Sequence, residues 1–506
     1  MVPTHIPMFP IHRVALVAFL AACCAVCCAD YPIFWQRYTA DPSALVWDGR
    51  LCLFCSHDTY EAERGYGYFM NDVTCLSTTD MKNWTDHGEV FSYAQCAWGA
   101  TQVWAPQVVE RDGRFYLYYG NADRAIGVAV ADNPLGPYRD TGARPLVDGS
   151  TPGVLIYDSA GEVLHPRSDT PGALPGSADW NVWVFDPSVL VDPATGRAYL
   201  FFGGGHPDYS RIIPLAEDMV STEGRAIHPN TPGFFEGSWG HTRQGLYYYS
   251  YAGHGHGFPA NIEYVVSDNP MWGYGQPRVL LPNPPDNDGL NNHHSVVEYR
   301  GRWYVAYHNR KVVHEQMLAA EHGVAWCAAI DGVADHRAHE YMRSVCIDRL
   351  FYNADGSMAT VVPTEDGLEQ IAFVDPSLRQ EGEMMAKGWG IDVVNVPNGT
   401  NPVSSNTARA TLSRHEGDYV LVRGVDFSQG QAANLTAAIG GETGDIEVRL
   451  NSVEGPLLAT LTVDAAEIHT VSYTMSQAVP SGIQNLCFVF KAPGLLLDWW
   501  QFAAAH

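Results

Sequence analysis

The stretch Phe185-Asp-Pro-Ser-Val-Leu-Val-Asp-Pro-Ala-Thr-Gly-Arg-Ala-Tyr-Leu-Phe-Phe202 decides the fold. An apolar run leads into a turn that ends in Thr-Gly, and an aromatic run leads away from it. Two such runs around a glycine that supplies positive φ read as an antiparallel hairpin. Four more copies of the phrase lie along the chain, at Asp41 to Phe54, Trp104 to Tyr119, Phe235 to Tyr249 and His293 to Tyr307. Their turn glycines, with that of the quoted stretch, are Gly49, Gly113, Gly196, Gly245 and Gly301. They recur at intervals of roughly 50 to 80 residues, near the size of a four-stranded propeller blade with loop insertions. The expectation is an all-β chain whose residues 30–373 form a five-bladed β-propeller. An ordinary β-sandwich with chance hairpins is the alternative.

The entry to each hairpin carries the chemistry. Asp41, Asp186, Glu236 and His293 stand eight, ten, nine and eight residues before their turn glycines. If the repeats superpose, three carboxylates and an imidazole meet at the axis. A polar cluster is costly to bury in an apolar scaffold, so its presence points to a reaction. Glycosidic cleavage needs a proton donor for the leaving oxygen and a second carboxylate for water or the anomeric carbon. Crowded carboxyls cannot all ionise, so one stays protonated as an acid. A metal cage is the other use of such a set, but hard cations take more oxygens than it offers.

The remaining composition agrees with a carbohydrate substrate. The 506 residues carry 56 acidic and 30 basic side chains, a formal charge of -26. A surface that negative disfavours nucleic acid. Aromatic residues make up 12% of the chain, and few cations accompany them. Arg13 precedes the apolar run Val14 to Ala29. That run is shorter than the roughly 20 residues a transmembrane helix needs, so residues 1–29 read as a signal peptide and the protein as secreted. Leu20-Ala21-Ala22-Cys23 also fits a lipoprotein cleavage box, which makes a lipid anchor at Cys23 the alternative. No later segment is apolar enough to give a transmembrane segment. Four of the eleven cysteines lie in this leader. The seven others are too sparse for a disulfide framework, and Cys52-x-x-Cys55 reads as buried structural thiols.

The phrases Ala40-Asp41-Pro42-Ser43, Trp104-Ala105-Pro106-Gln107, Phe185-Asp186-Pro187-Ser188, Phe235-Glu236-Gly237-Ser238-Trp239 and Tyr307-His308-Asn309-Arg310 resemble glycoside hydrolase family 43 over roughly residues 31 to 372. That resemblance implies a five-bladed propeller that cleaves arabinofuranosides and xylosides with inversion. It also implies roles: Asp41 as general base, Glu236 as general acid, and Asp186 as the carboxylate that orients the acid and raises its pKa. Phe235 and Trp239 give Glu236 apolar surroundings, and Phe235 joins Trp104 and Arg310 as a substrate-binding candidate. For Trp104, a place in the propeller core is the other reading. His293 resembles the family histidine that holds a central calcium or water. His294 is its rival, since neighbours on a strand face opposite ways. The segments Asp58 to Asp72 and Ser77 to Trp84 are similar to arabinoxylan-acting members.

Asp375-Pro376 marks a break. Residues 380–506 then show short β runs at Tyr419–Arg423, Ile446–Leu450, Leu458–Val463 and Leu486–Phe490, which predict a jelly-roll sandwich. The phrases Glu381-Gly-Glu383, Gly424-Val-Asp-Phe427 and Leu497-Asp-Trp-Trp-Gln-Phe502 resemble a family 6 carbohydrate-binding module. The resemblance implies a structural calcium at Glu381, Glu383 and Asp498. Where such modules present a stacking tryptophan, this chain has Glu467-Ile-His-Thr-Val471, so the usual sugar face is missing.

The combined reading is a secreted, inverting hydrolase that removes α-L-arabinofuranosyl branches from arabinoxylan or xylo- and arabino-oligosaccharides. Calcium is the one cofactor expected, and no organic cofactor. A β-xylosidase is the alternative within the class, and a non-catalytic sugar-binding propeller the alternative outside it.

Overall fold

The computed structural model describes residues 31–60, 67–157, 161, 182–205, 209–255, 260–287, 291–321, 339–396, 408–428, 432–475 and 479–504. The leader, with Cys23, and Tyr66 lie outside them. The described chain is all-β apart from the helix Lys311–Glu321 and two short 3-10 turns. No helix among the described residues is long and apolar enough to cross a membrane.

Each of the five phrases forms its hairpin. Thr39–Trp47 pairs with Arg50–Asp58, Trp104–Arg111 with Arg114–Asn121, Ser188–Val191 with Ala198–Gly203, Phe234–Arg243 with Leu246–Gly253, and His294–Tyr299 with Arg302–Asn309. Four of the turns place two successive residues at positive φ: Asp48 and Gly49, Asp112 and Gly113, Gln244 and Gly245, Arg300 and Gly301. This is the type I′ geometry whose twist matches that of the strands. Further strands extend each hairpin into a separate antiparallel sheet.

Apolar side chains fill the spaces between successive sheets. One core joins the first sheet to the second, another the second to the third, and a third the third to the fourth. The largest joins the fourth, fifth and first. Cys52 packs into the first of these cores and Cys55 into the last. Three residues apart on a strand, they face opposite ways and cannot share a metal. The first of the described residues close onto the fifth sheet, where Ile33 N–H donates to Val345 O at 3.1 Å, and onto the residue before it, where Thr39 N–H donates to Arg343 O at 2.9 Å.

Beyond residue 380 two further sheets face each other over a separate core that includes Trp500, Phe488 and Leu435. The predicted runs lie in the strands Tyr419–Asp426, Gly444–Leu450, Leu457–Val463 and Ile483–Phe490. His469–Thr474, which replaces the expected tryptophan strand, is an edge strand with alternating exposed residues.

The division at residue 380 is not clean. Met384–Met385 pairs with Trp84 and Thr85, so the first sheet takes its outermost strand from the C-terminal region. That pairing covers an edge that would otherwise be open. Ser77 to Trp84 belongs to the same junction. Asn83 Nδ2 donates to Arg423 O, and Arg423 N–H donates to Asn83 Oδ1, both at 2.9 Å. Asp86 is fully buried there between Arg37 and Arg409. The segment that the sequence linked to substrate choice therefore docks the C-terminal region.

Candidate active site

Asp41, Ala105 and Asp186 occupy one repeated position. Each has a left-handed φ, 49°, 45° and 51°, and each precedes a proline. Both facts are sterically unfavourable for a residue with a side chain. The pairing is irregular at this point in the first, second and fourth sheets. This local backbone shape, rather than the chemistry, accounts for the geometry, because Ala105 has no reactive group. In the fourth sheet the left-handed residue is Gly237, at φ 69°. Glu236 therefore lies one place upstream of Asp41 and Asp186, and this accounts for its spacing of nine residues instead of eight. Trp104 and Phe185 hold that upstream place in the second and third sheets.

The two places together surround one cavity of about 920 Å³, counting its open mouth. Asp41, Asp186, Glu236 and His293 all line it, as do Trp104 and Phe235. All three carboxyl residues are buried. Asp41 is the most tightly held. Its Oδ2 accepts from Ser56 Oγ at 2.8 Å and its Oδ1 from Arg343 Nη1 at 2.6 Å. Its backbone N–H donates to His308 Nδ1 at 3.2 Å. Asp186 Oδ2 accepts from the N–H of Gly237 at 2.9 Å, so the bulge after Glu236 directly holds Asp186. His293 Nδ1 lies 3.6 Å from Asp41 and 3.8 Å from Asp186. His294 faces the other way, with Nε2 2.6 Å from Ser250 Oγ in the core.

Burial dominates the electrostatics. It pushes the Asp186 carboxyl up to about 8, with the charge of Asp41 adding to the effect. Burial also lifts Glu236 well above the carboxylate range, reinforced by Asp186 and Asp41 and opposed by Arg343 and Arg310. Glu236 Oε1 has no hydrogen-bond partner among the described residues. A buried carboxyl without donors keeps its proton. His293 is held neutral by burial. The site thus places proton-bearing carboxyls beside an Asp41 that a guanidinium and a hydroxyl hold.

Arg343 is the group that sequence reasoning missed. Its Nε and Nη2 clasp Asp58 at 2.9 and 2.7 Å while Nη1 reaches Asp41. Its guanidinium also sits 4.8 Å from the centre of the Tyr68 ring, which lines the cavity. Arg310 lies beside the cavity rather than on its lining. It is fully buried, donates to Asn291 Oδ1 and Glu340 O at 2.8 and 2.9 Å, and also bonds Asn287. It stands behind the wall, supporting Asn291 and Glu340, and does not line the cavity. Trp104 reaches the cavity, braced by Gln102 at 3.2 Å and by the edge of Tyr68. Phe235 stacks on His254 and meets Trp183 edge-on.

Residues 30–161 and 166–358 match the model of the glycosyl hydrolases family 43. The chain belongs to this family. As a family 43 member it is a glycoside hydrolase acting on O-glycosyl bonds. Residues 381–504 match the family 6 carbohydrate binding module. An arabinoxylan arabinofuranohydrolase of Paenibacillus polymyxa is 34% identical, covering 93% of this chain and 74% of its own. A crystal structure of the Bacillus subtilis family 43 arabinoxylan arabinofuranohydrolase, in complex with cellotetraose, is 31% identical with a TM-score of 0.77. It covers 94% of this chain and 98% of its own. A xylosidase/arabinosidase of Bacteroides ovatus is 28% identical over 64% of this chain and 95% of its own.

The three residues of the expected calcium site lie together at the junction of the two regions. Glu383 is fully buried, and neither its carboxylate oxygens nor Asp498 Oδ1 has a hydrogen-bond partner among the described residues. Glu381 is instead engaged by Arg379 at 2.9 Å. Among the described residues no group of three or more His, Cys, Asp or Glu is arranged to hold a metal ion. The same Arg379 lies 4.0 Å from Asp498 Oδ1, so of the three expected residues Glu383 alone has no ion-pair partner among the described residues.

Proposed function

We propose that this chain is a secreted, inverting α-L-arabinofuranosidase that removes arabinofuranosyl branches from arabinoxylan. The observation that carries the reading is the convergence of Asp41, Asp186 and Glu236 on one cavity, with Asp41 held by a guanidinium and burial favouring the protonated form of Glu236. Glu236 is the general acid. Burial keeps its proton on, and its apolar neighbours keep water from competing for that proton. Asp41 is the general base, held in place by the Arg343 guanidinium and the Ser56 hydroxyl. It accepts a proton from the water that attacks the anomeric carbon, while Glu236 donates to the departing oxygen. Asp186 sits between them. It holds the Gly237 bulge that aims Glu236, and its crowding against Asp41 and Glu236 helps keep the acid protonated. Inversion requires the acid and base to stand roughly 6.5–9.5 Å apart, with a water between base and sugar.

The five separate sheets, with cores between successive sheets in cyclic order, support a five-bladed propeller spanning residues 30–373. The apolar run Val14 to Ala29 supports secretion. Arabinoxylan is favoured because the relatives of that name match both regions of the chain, and the junction at Asn83 and Arg423 ties those regions together. The resemblance to the module implies calcium at Glu381, Glu383 and Asp498. The two carboxylate oxygens of Glu383, which have no hydrogen-bond partner among the described residues, are the ones a hard cation would satisfy, with backbone carbonyls or water needed to complete its shell. Bound there, it would neutralise buried charge at the junction and take no part in the reaction. His293, with its ring nitrogen near two carboxylates, suits a central water or calcium, as the resemblance implies.

Hydrolysis of aryl α-L-arabinofuranoside and aryl β-D-xyloside, side by side, tests the proposal. Faster release of arabinose supports it. A clear preference for xylose moves the assignment to a β-xylosidase, which the xylosidase/arabinosidase relative keeps as the second reading. Activity on neither, with arabinoxylan also untouched, leaves a sugar-binding propeller.

A further inference from the structure

A fourth carboxylate enters the cavity from a turn with no part in the reaction just described. Strands Arg114–Asn121 and Ala125–Ala131 are joined by Ala122-Asp123-Arg124, with Ala122 at a left-handed φ of 48°. The carbonyl of Asp123 accepts from Val184 N–H at 2.8 Å. That bond fixes the turn against the segment carrying Trp183 and Phe185. Asp123 is only 8% exposed, yet its side chain lines the cavity. Among the described residues, the groups that draw on its charge are its own backbone N–H and Arg124, whose Nε is 3.8 Å away. A carboxylate offers about four lone-pair sites, so acceptor capacity remains, aimed at the cavity.

Its neighbour is an aromatic platform. Trp183 lies over Gly205, where an added Cβ would come within 2.9 Å of the indole. Its edges meet Phe185 and Phe235. Asp123 sits on a different turn from the reacting carboxyls, between two strands of the second sheet. The ring to be released takes the charged end, among Asp41, Asp186, His293 and Arg343. On that reading the group it leaves, protonated by Glu236, would lie on the side of the cavity lined by Phe235 and Trp183.

We propose that Asp123 binds substrate on the leaving-group side of the scissile bond, accepting hydroxyl hydrogen bonds from a xylose unit of the polysaccharide backbone held against Trp183. This rests on the reading of the site as an arabinofuranosidase acting on arabinoxylan. Arabinosylated xylo-oligosaccharide presents that xylose and an aryl α-L-arabinofuranoside does not, so the two substrates separate the roles. For Asp123→Ala, KM on the oligosaccharide is expected to rise about tenfold, the cost of one hydrogen bond to a charged group. Its kcat stays within about twofold of wild type, and kcat/KM on the aryl substrate is unchanged. Asp123→Asn, which keeps the shape of the turn, shifts KM in the same direction and decides the matter if the alanine variant does not fold. Equal losses on both substrates, or no change on either, overturn the proposal. A wild-type enzyme that cleaves the aryl substrate but not the oligosaccharide overturns the arabinoxylan reading instead.

Discussion

Arg343 Nη1 and Asp41 Oδ1 lie 2.6 Å apart, with both side chains almost wholly buried. The same guanidinium clasps Asp58 with its other nitrogens, so one cation serves two buried carboxylates. Removing one member of a buried ion pair strands the other, at a cost of about 3–5 kcal/mol. Arg343→Met should therefore lower the urea midpoint sharply and abolish turnover. Arg343→Lys keeps the charge but is a point donor that cannot span both carboxylates, so it should fall between the two. A methionine variant with wild-type stability and rate would show that Asp41 does not depend on this cation.

Asp186 gives a stability signature in pH. Its folded carboxyl is raised from 3.8 to about 8, chiefly by burial and then by Asp41. A raised folded value means that the fold favours the protonated form. The contribution of that form to stability is complete below about pH 3.8 and disappears as pH climbs through about 8. Asp186→Asn removes the charge that forms at high pH. Its melting temperature relative to wild type should therefore rise from about pH 4 to about pH 8 and level off above that. A difference that is flat or falls with pH would show that Asp186 is ionised in the fold throughout.

Glu236→Gln removes the proton donor. The rate on substrates with poor leaving groups should fall by about 10²–10⁴, the usual worth of general acid catalysis. Aryl substrates with strongly activated leaving groups need little protonation and should lose far less. Equal losses on both would take Glu236 out of the acid role.

The junction carboxylates provide a metal test. A chelator should lower the melting temperature of the wild type, because an ion bound only to the folded chain stabilises it by mass action. Glu383→Gln should melt at the same temperature with and without chelator. A wild type that chelator leaves unchanged would remove calcium from the account.

Much of this was legible in local sequence. Asp48-Gly49 and Asp112-Gly113 announce hairpins because few residue pairs tolerate two successive positive φ values. Asp41 and Asp186 stand out because a proline follows each at the same point of the phrase. The offset of Glu236 was visible as a spacing of nine, but only the left-handed Gly237 explains it. Arg343 was not legible. It follows no hairpin phrase, and its partners Asp58 and Asp41 lie 285 and 302 residues away in sequence. The place of Arg310 was hidden for the converse reason. Its local phrase fits a strand end at the cavity, but Asn291 and Glu340 turn it into the wall behind.

The central claim is that water, activated by Asp41, displaces the group that Glu236 protonates, in a single step. Proton NMR of the first-formed arabinose, recorded before mutarotation, tests it most directly. The account predicts the inverted anomer, with negligible transfer of arabinose to added methanol, because no glycosyl-enzyme forms. A retained anomer, or substantial methyl arabinofuranoside, would mean that a carboxylate attacks the sugar itself, and the roles given to Asp41 and Glu236 would be wrong.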